Sequence, residues 1–249
     1  MELRVFGERR EAELALAREI AELVRLRRDE GRGAVLGLAT GRTPVGVYAE
    51  LVRMHREEGL DFARVVTFNL DEFEGVSADA PGSFRRFMHE HLFAHVNLAP
   101  ECVHLLRSDL TGAAAAAHCE EYEAAIRDAG GIDLQVLGVG LNGHVGFNEP
   151  GSPRDSRTRR VELHPVTRRS YSDGLGEEAP THALSMGIAT ILEARRLRVL
   201  ALGAHKADIV AELLRGEPRA EVPASLLHGH PDVRLLTDPE AATASSPTP

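Results

Sequence analysis

Short apolar runs alternate along the chain with longer stretches whose apolar residues recur at helical spacing. A short apolar run is typical of a strand buried on both faces of a sheet, and a longer periodic stretch is typical of an amphipathic helix. The predicted strands are Leu3–Phe6, Ala34–Ala39, Val65–Asn69, Val103–Leu106, Leu134–Val139, Arg198–Gly203 and Val233–Thr237. The predicted helices are Arg9–Glu30, Pro44–Glu58, Ser83–Val96, Ala113–Ala129, Leu184–Glu193 and Lys206–Arg215. This alternation indicates βαβ units, so the pattern predicts an α/β fold with a mainly parallel sheet.

One stretch, residues 151–180, departs from this alternation. It carries six arginines between Arg154 and Arg169, together with prolines, serines and threonines. A long segment of this kind beside candidate catalytic residues predicts a mobile lid, although a solvated surface excursion would show the same composition. The length of 249 residues, without a repeat or a break in composition, predicts a single domain over residues 1–240. The tail 241–249 has no large apolar residue and is predicted to be disordered.

Composition narrows the classes of function. The formal net charge of −9 opposes a nucleic-acid partner, because phosphate backbones are bound by basic surfaces. The two cysteines, Cys102 and Cys119, make neither a disulfide framework nor a zinc site, and no other metal-ligand spacing is present. The N-terminal sequence lacks the apolar core of a signal peptide, and no run of about 18 apolar residues occurs. We therefore expect a cytoplasmic protein with no membrane span and no bound metal.

The stretch from Gly138 to Pro150, GVGLNGHVGFNEP, carries the clearest catalytic signal in the chain. Clustered glycines let a backbone approach a ligand closely, and an imidazole near a carboxylate is placed for proton transfer around neutral pH. His144 and Glu149, beside Asn142, are therefore catalytic candidates. The glycines also spell the dinucleotide-binding pattern, but this motif lies past mid-chain and runs into a Pro-Gly turn instead of a helix. The bland alternative is a glycine-rich loop in which His144 makes only a local hydrogen bond.

The TGRTP loop, Thr40–Pro44, directly follows a predicted strand. Thr43 can cap the next helix and Pro44 suits its first position. Free amides at such a helix start form an anion site, for phosphate in particular, although plain capping without a ligand gives the same sequence. The loop has no GK[ST] element, which argues against a nucleoside triphosphate.

Two more strand ends carry charged candidates. Asp71 and Glu72 are adjacent, so in an extended chain they point to opposite sides and only one is expected to enter a site as a general base. A solvated loop acid is the alternative for each. Lys206 is the sole lysine among 29 basic residues and follows another strand, where open α/β sheets bind ligands, unless it has survived by chance. Four such strand ends together predict an enzyme that acts on a small phosphorylated molecule.

These motifs together resemble the glucosamine-6-phosphate deaminase family. The resemblance rests on GLATGRTPVGVYAEL, VVTFNLDEFEG, SFRRFMHEHLF and LGVGLNGHVGFNEPGSPRDSRTR, and it extends to PASLLHGHPDV. It implies a three-layer Rossmann-like sheet with helices on both faces, and conversion of glucosamine 6-phosphate to fructose 6-phosphate and ammonia without a cofactor. By this resemblance Asp71 moves a proton from C2 to C1 and His144 assists ring opening, oriented by Glu149 and Asn142. The residues implied to hold the substrate and its phosphate are Thr40, Gly41, Arg42, Thr43 and Lys206.

The chain departs from this family at two positions. Many relatives carry a phosphate-binding arginine where this chain has Asp173, and relatives tend to have a small residue at Arg42. We hypothesise that Arg42, Arg168 or Arg169 replaces the cation, and without a replacement the true substrate would differ. Residues of an allosteric site found in some relatives are incompletely matched, so activation by an acetylated amino sugar is not predicted. Relatives range from monomers to larger assemblies, which leaves a homo-oligomer open.

Three other functions compete with this interpretation. A 6-phosphogluconolactonase-like hydrolase has no need of Asp71 as a carbon base, so the intact TFNLDEF motif argues against it. A deaminase for another hexosamine phosphate, such as galactosamine 6-phosphate, fits the same residues. A sugar-phosphate sensor without turnover would be expected to lack an acid or a histidine, yet Asp71, His144 and Glu149 are all present.

Overall fold

The computed structural model of the protein describes residues 1–175 and 180–243. Its strands are β1 (Glu2–Val5), β2 (Val35–Leu38), β3 (Val66–Asn69), β4 (Asp71–Phe73), β5 (Val103–His104), β6 (Leu134–Gly138), β7 (Arg159–Glu162), β8 (His182–Ser185), β9 (Leu197–Ala201) and β10 (Val233–Thr237). Its α-helices are α1 (Arg9–Asp29), α2 (Val45–Glu58), α3 (Phe84–His91), α4 (Gly112–Asp128), α5 (Pro165–Leu175), α6 (Ile188–Leu192), α7 (Ala207–Leu214) and α8 (Pro239–Ala242). Within these ranges, no helix combines the length and the apolarity that crossing a membrane requires.

Seven strands form a parallel sheet in the order β1-β10-β9-β6-β2-β3-β5. Arg198 of β9 bonds to Glu19 of α1 on one face of the sheet. The strand register places Phe68 of β3 on the opposite face, where its ring meets Tyr122 of α4 edge-on. Helices on both faces explain why the central strands β2, β6 and β9 are almost wholly buried and apolar. The predicted three-layer α/β fold is confirmed.

A second, smaller sheet has the antiparallel order β4-β8-β7. The chain leaves the main sheet at Leu70 and enters β4 at Asp71, which lies opposite Ser185 of β8. The described residues of the segment predicted to be a lid, 151–175 and 180, include β7 and α5, and β7 pairs with β8, the strand next to β4. A lid movement of this segment stays a prediction. The buried cluster beside the small sheet consists of Phe73, Phe84, Phe147, Leu163 and Ala183.

The predicted helix Leu184–Glu193 is wrong over its first residues. Leu184 and Ser185 belong to β8, and the helix covers only Ile188–Leu192. Cross-strand pairing with β4 and β7 holds this apolar stretch extended, which overrides its helical spacing. The other predicted strands and helices are present, with ends that differ by a few residues.

The start of α2 also differs from the prediction. The helix begins at Val45, and no side-chain hydrogen bond caps it. The prediction that Thr43 caps this helix is therefore wrong. A serine does act in this way at α3, where Ser83 Oγ accepts from the backbone N–H of Arg86 at 3.4 Å. The first turn of α2 therefore has amides that its own side chains leave available.

The tail predicted to be disordered begins too early. Ala241 and Ala242 belong to α8, and Ala241 is fully buried. Asp238 caps this short helix by accepting from the backbone N–H of Ala241 at 2.8 Å. The remainder of the predicted tail, residues 244–249, lies outside the described residues.

Candidate active site

The loops after β2, β3, β6 and β9 meet at one edge of the main sheet, because these strands are parallel and lie close together. They carry the TGRTP loop, Asp71, the glycine-rich loop after Gly138, and Lys206. The ammonium of Lys206 donates to the carbonyl of Val139 at 2.8 Å, which ties the loop after β9 to the loop after β6. The predicted meeting of four strand ends therefore takes place.

Asp71 is a buried carboxyl group with an unusual proton affinity. Its residue is 7% exposed, and burial together with the charge of Glu72 raises the pKa of Asp71 to about 8. Gly146 packs beside it, since a Cβ added at Gly146 would lie 3.5 Å from Asp71 Oδ2. The φ of +56° at Gly146 is also one that other residues rarely adopt. A carboxyl group that titrates near neutral pH is suited to both removing and returning a proton.

Glu72 does not share this environment. As the extended spacing predicts, its side chain points away from that of Asp71, and its carboxylate reaches the start of α3. Burial raises the pKa of Glu72, while hydrogen bonds from this helix start oppose that rise. The groups that donate to its carboxylate are the backbone amides of Phe73, Phe84 and Arg85 and the hydroxyl of Ser83. Glu72 therefore anchors α3, and Asp71 alone of the pair remains for chemistry.

The three candidates of the glycine-rich loop form one hydrogen-bonded group. Asn142 donates from Nδ2 to Glu149 Oε2 at 2.9 Å, and its Oδ1 accepts from the backbone N–H of His144 at 3.2 Å. The Nδ1 of His144 lies 3.6 Å from Glu149 Oε2 and 3.3 Å from the hydroxyl of Thr167. The second oxygen of Glu149 accepts from the backbone N–H of His164 at 3.2 Å. Glu149 and Asn142 thus fix the imidazole from one side.

The carboxylate of Glu149 stays charged beside His144. Burial would raise the pKa of Glu149, but His144, Thr167 and Asn142 outweigh it and lower the pKa to about 2. A charged carboxylate favours a proton on the nitrogen that faces it, Nδ1 of His144, which leaves Nε2 as the ring nitrogen that can face a substrate. A side chain at Gly140 would collide with this ring, so glycine is needed there for the imidazole to lie where it does.

Cations gather around the TGRTP loop. Burial and the nearby charge of Arg42 lower the pKa of Lys206. Burial and the charges of Lys206, Arg42 and Arg9 likewise lower the pKa of His205, opposed by Asp238. Arg9 donates from Nη2 to the carbonyl of Arg42 at 3.4 Å. Mutual repulsion among these groups, together with the amides at the start of α2, makes this corner suited to an anion such as phosphate.

The three arginines considered as the replacement cation lie in two different parts of the structure. Arg42 lies beside Lys206 in the cation group, which favours it. Arg168 and Arg169 lie on α5 next to Thr167, and Asp173 lies further along the same helix. The charge of Arg42 acts on the lysine at the anion corner.

Sequence reasoning missed three residues that complete the site. Tyr48 donates to the carbonyl of Ala39 at 2.5 Å, which fixes the end of β2 before the TGRTP loop. Thr167 and Tyr171 come from α5 and approach His144 and the aromatic cluster respectively. The i, i+4 spacing of Thr167 and Tyr171 was the available signal, but it required α5 to be recognised in the lid segment. In the described part of the chain, no group of His, Cys, Asp or Glu is arranged to hold a metal.

Comparisons with known proteins agree with this architecture. Glucosamine-6-phosphate deaminase 2 of Giardia intestinalis is 49% identical over 213 residues, covering 84% of this chain and 78% of that protein. Glucosamine-6-phosphate deaminase of Bacillus velezensis is 47% identical over 229 residues, covering 90% of this chain and 91% of that protein. The solved structure of a monomeric glucosamine-6-phosphate deaminase superposes with a TM-score of 0.93 at 38% identity, covering 98% of this chain and all of the other.

More distant structures share the fold. The 6-phosphogluconolactonase of Trypanosoma brucei superposes with a TM-score of 0.76 at 23% identity, covering 97% of each chain. Residues 7–235 match the sequence profile of the family described as glucosamine-6-phosphate isomerases/6-phosphogluconolactonase. With this match over most of its length and relatives near half identity, the chain belongs to that family.

Proposed function

We propose that the protein is a glucosamine-6-phosphate deaminase that converts glucosamine 6-phosphate to fructose 6-phosphate and ammonia. The observation that carries this proposal is the placement of Asp71, a carboxyl group with a pKa of about 8, against the loop that holds the His144–Glu149 pair. A carbon acid needs such a base, whereas hydrolysis of an ester does not. The relatives near half identity carry the name of this activity.

Each step of the reaction has a residue suited to it. The imidazole of His144, held by Glu149 and Asn142, moves the proton that opens the sugar ring. The carboxylate of Asp71 removes the C2 proton of the open chain and returns a proton to C1, which gives the imine of the ketose. Water then hydrolyses this imine and ammonia leaves.

The phosphate group of the substrate would lie at the cation corner. The amides of Thr40–Thr43 and the ammonium of Lys206 supply donors there, and Arg42 adds a second full charge. Hydrogen bonds between charged groups contribute roughly 1.5–3 kcal/mol each, which fixes the sugar at its far end. The site needs no cofactor for this chemistry. We propose a cytoplasmic enzyme, and a monomer or a homo-oligomer is equally compatible with the site.

An assay of three substrates tests the proposal. Release of ammonia and fructose 6-phosphate is followed with glucosamine 6-phosphate and with galactosamine 6-phosphate, and acid release is followed with 6-phosphogluconolactone. We expect turnover of glucosamine 6-phosphate with a higher kcat/KM than the other two compounds. Preference for galactosamine 6-phosphate would change the substrate, turnover of the lactone alone would make the protein a hydrolase, and binding without turnover would make it a sensor.

A further inference from the structure

We infer that Tyr171 is a positioning residue for Asp71, because its hydroxyl donates a hydrogen bond to the charged Asp71 carboxylate in the substrate-loaded enzyme. This inference rests on the proposed deaminase reaction, in which Asp71 must be ionised to accept the C2 proton. It gives α5 a direct part in the chemistry, which the family motifs quoted above do not include.

The geometry of α5 carries the first step. Thr167 and Tyr171 are four residues apart on this helix and therefore lie on the same face. Thr167 approaches the Nδ1 of His144 at 3.3 Å, so this face of the helix is directed at the active site. Tyr171 lies one turn further along the same face.

Ring packing places Tyr171 against phenylalanines that lie two residues from each of the acids Asp71 and Glu149. Its ring centroid is 5.1 Å from that of Phe73 and 6.0 Å from that of Phe147. Phe73 is two residues after Asp71 in β4, so their side chains share a face of that strand. Phe147 is two residues before Glu149. The phenol therefore lies over the neighbours of both acids.

The charges around the phenol agree with this placement. Burial and the charges of Asp71 and Glu149 raise the pKa of Tyr171, so its hydroxyl keeps its proton and can only donate toward a carboxylate. Burial, together with the same charge of Asp71, also raises the pKa of Tyr48 and of Tyr122. The hydroxyls of those two tyrosines, however, already donate to backbone carbonyls.

Asp71 is the group that requires such a donor. Burial and the charge of the adjacent Glu72 both oppose ionisation of the Asp71 carboxyl group. The carboxylate of Asp71 accepts no hydrogen bond from the described residues in the free enzyme. Hydrogen bonds to the charged form of an acid lower its pKa, and such bonds are often long in a free enzyme and shorten when substrate binds. A donor from α5 would bring Asp71 to a pKa at which it is an effective base in the closed site.

The test compares Tyr171→Phe with the wild type across pH 5.5 to 9.5, using kcat for ammonia release at saturating glucosamine 6-phosphate, because the pH profile of kcat reports ionisations in the substrate complex. The variant keeps the ring and its packing and removes only the hydroxyl. Loss of one hydrogen bond to a charged group should move the acidic limb of the profile upward by about one to two units. The ratio of variant to wild type should then return toward one at the alkaline end. Ionisations of the substrate are common to both proteins and cancel in the comparison.

Phe84→Leu is the matched control, because Phe84 packs 5.8 Å from the Tyr171 ring and bears no hydroxyl. We expect this variant to lower the melting temperature and to leave the acidic limb in place. An equal loss of activity at every pH in Tyr171→Phe, an unchanged profile, or the same shift in Phe84→Leu would each overturn the inference. Absence of ammonia release by the wild type would instead overturn the proposed function, so the two failures are distinguishable.

Discussion

Replacement of Asp71 by asparagine should make the protein inactive and more stable at once. The activity is lost because the amide cannot accept the C2 proton, and general acid–base groups contribute about 10²–10⁴-fold. KM should change little, since the phosphate is held at the other end of the site. The stability rises because the fold now buries a neutral amide in place of an acid that resists ionisation.

The size and sign of the stability effect follow from the pKa of Asp71. The value is about 8 in the fold and about 3.8 in an unfolded chain, so between these limits the unfolded chain releases a proton that the fold retains. Each pH unit above 3.8 therefore costs the wild type up to about 1.36 kcal/mol, which reaches a ceiling of about 4 kcal/mol at pH 7. For a chain of this size, that corresponds to a rise in Tm of up to about 10 °C in Asp71→Asn. The difference should nearly vanish below about pH 3, where both states hold the proton.

The measurement is thermal or urea unfolding of both proteins at pH 3 and pH 7, alongside kcat at pH 7. Asp128→Asn is the matched control, because Asp128 is exposed at the end of α4, which leads to the opposite edge of the sheet. It should leave kcat and Tm nearly unchanged. A near-normal kcat in Asp71→Asn would remove Asp71 as the base. Equal stability of variant and wild type at pH 7 would refute the buried-acid reasoning.

Three further variants probe the rest of the site. Lys206→Met should raise KM for the sugar phosphate about 10- to 100-fold with a smaller effect on kcat, because a charged hydrogen bond to phosphate is lost. Arg42→Ala should raise KM about 5- to 10-fold, and an unchanged KM would exclude Arg42 as the replacement cation. Glu149→Gln should lower kcat at least about tenfold, since His144 loses the charge that orients it. Because the pKa of Glu149 is lowered, its charged form stabilises the fold above pH 4.5, and this stabilisation is lost as the pH falls toward about 2. Urea unfolding at pH 3 and pH 7 should show this loss of stability in the wild type and a smaller change with pH in Glu149→Gln.

The sequence predicts the main sheet well because its strands are buried on both faces. Runs such as Leu134–Val139 are largely apolar, with Gln135 as the polar exception, and such runs are typical of a parallel α/β sheet. The same topology brings the parallel strand ends to one edge, so the grouping of Asp71, His144 and Lys206 follows from chain order. These predictions depend only on short apolar runs and their order along the chain, both of which are visible in the sequence.

The small antiparallel sheet could not be predicted in this way. Its strands β4, β7 and β8 are three or four residues long, and each follows from pairing with the others instead of from its own pattern. The pKa of Asp71 likewise depends on burial by segments distant in sequence, which composition does not reveal. For Thr43, a good capping residue is present, yet the chain enters α2 through Pro44 in a helical conformation without using its hydroxyl.

The register between β4 and β8 also limits how this protein can be altered. Asp71 lies opposite Ser185, and a slip of one residue in that pairing would reverse the direction of every side chain in β4. Glu72, longer by one methylene, would then replace Asp71 toward the sugar, and α3 would lose its anchor. Insertions or grafts that change the chain length between Leu70 and Phe73 should therefore abolish turnover even when the protein still folds.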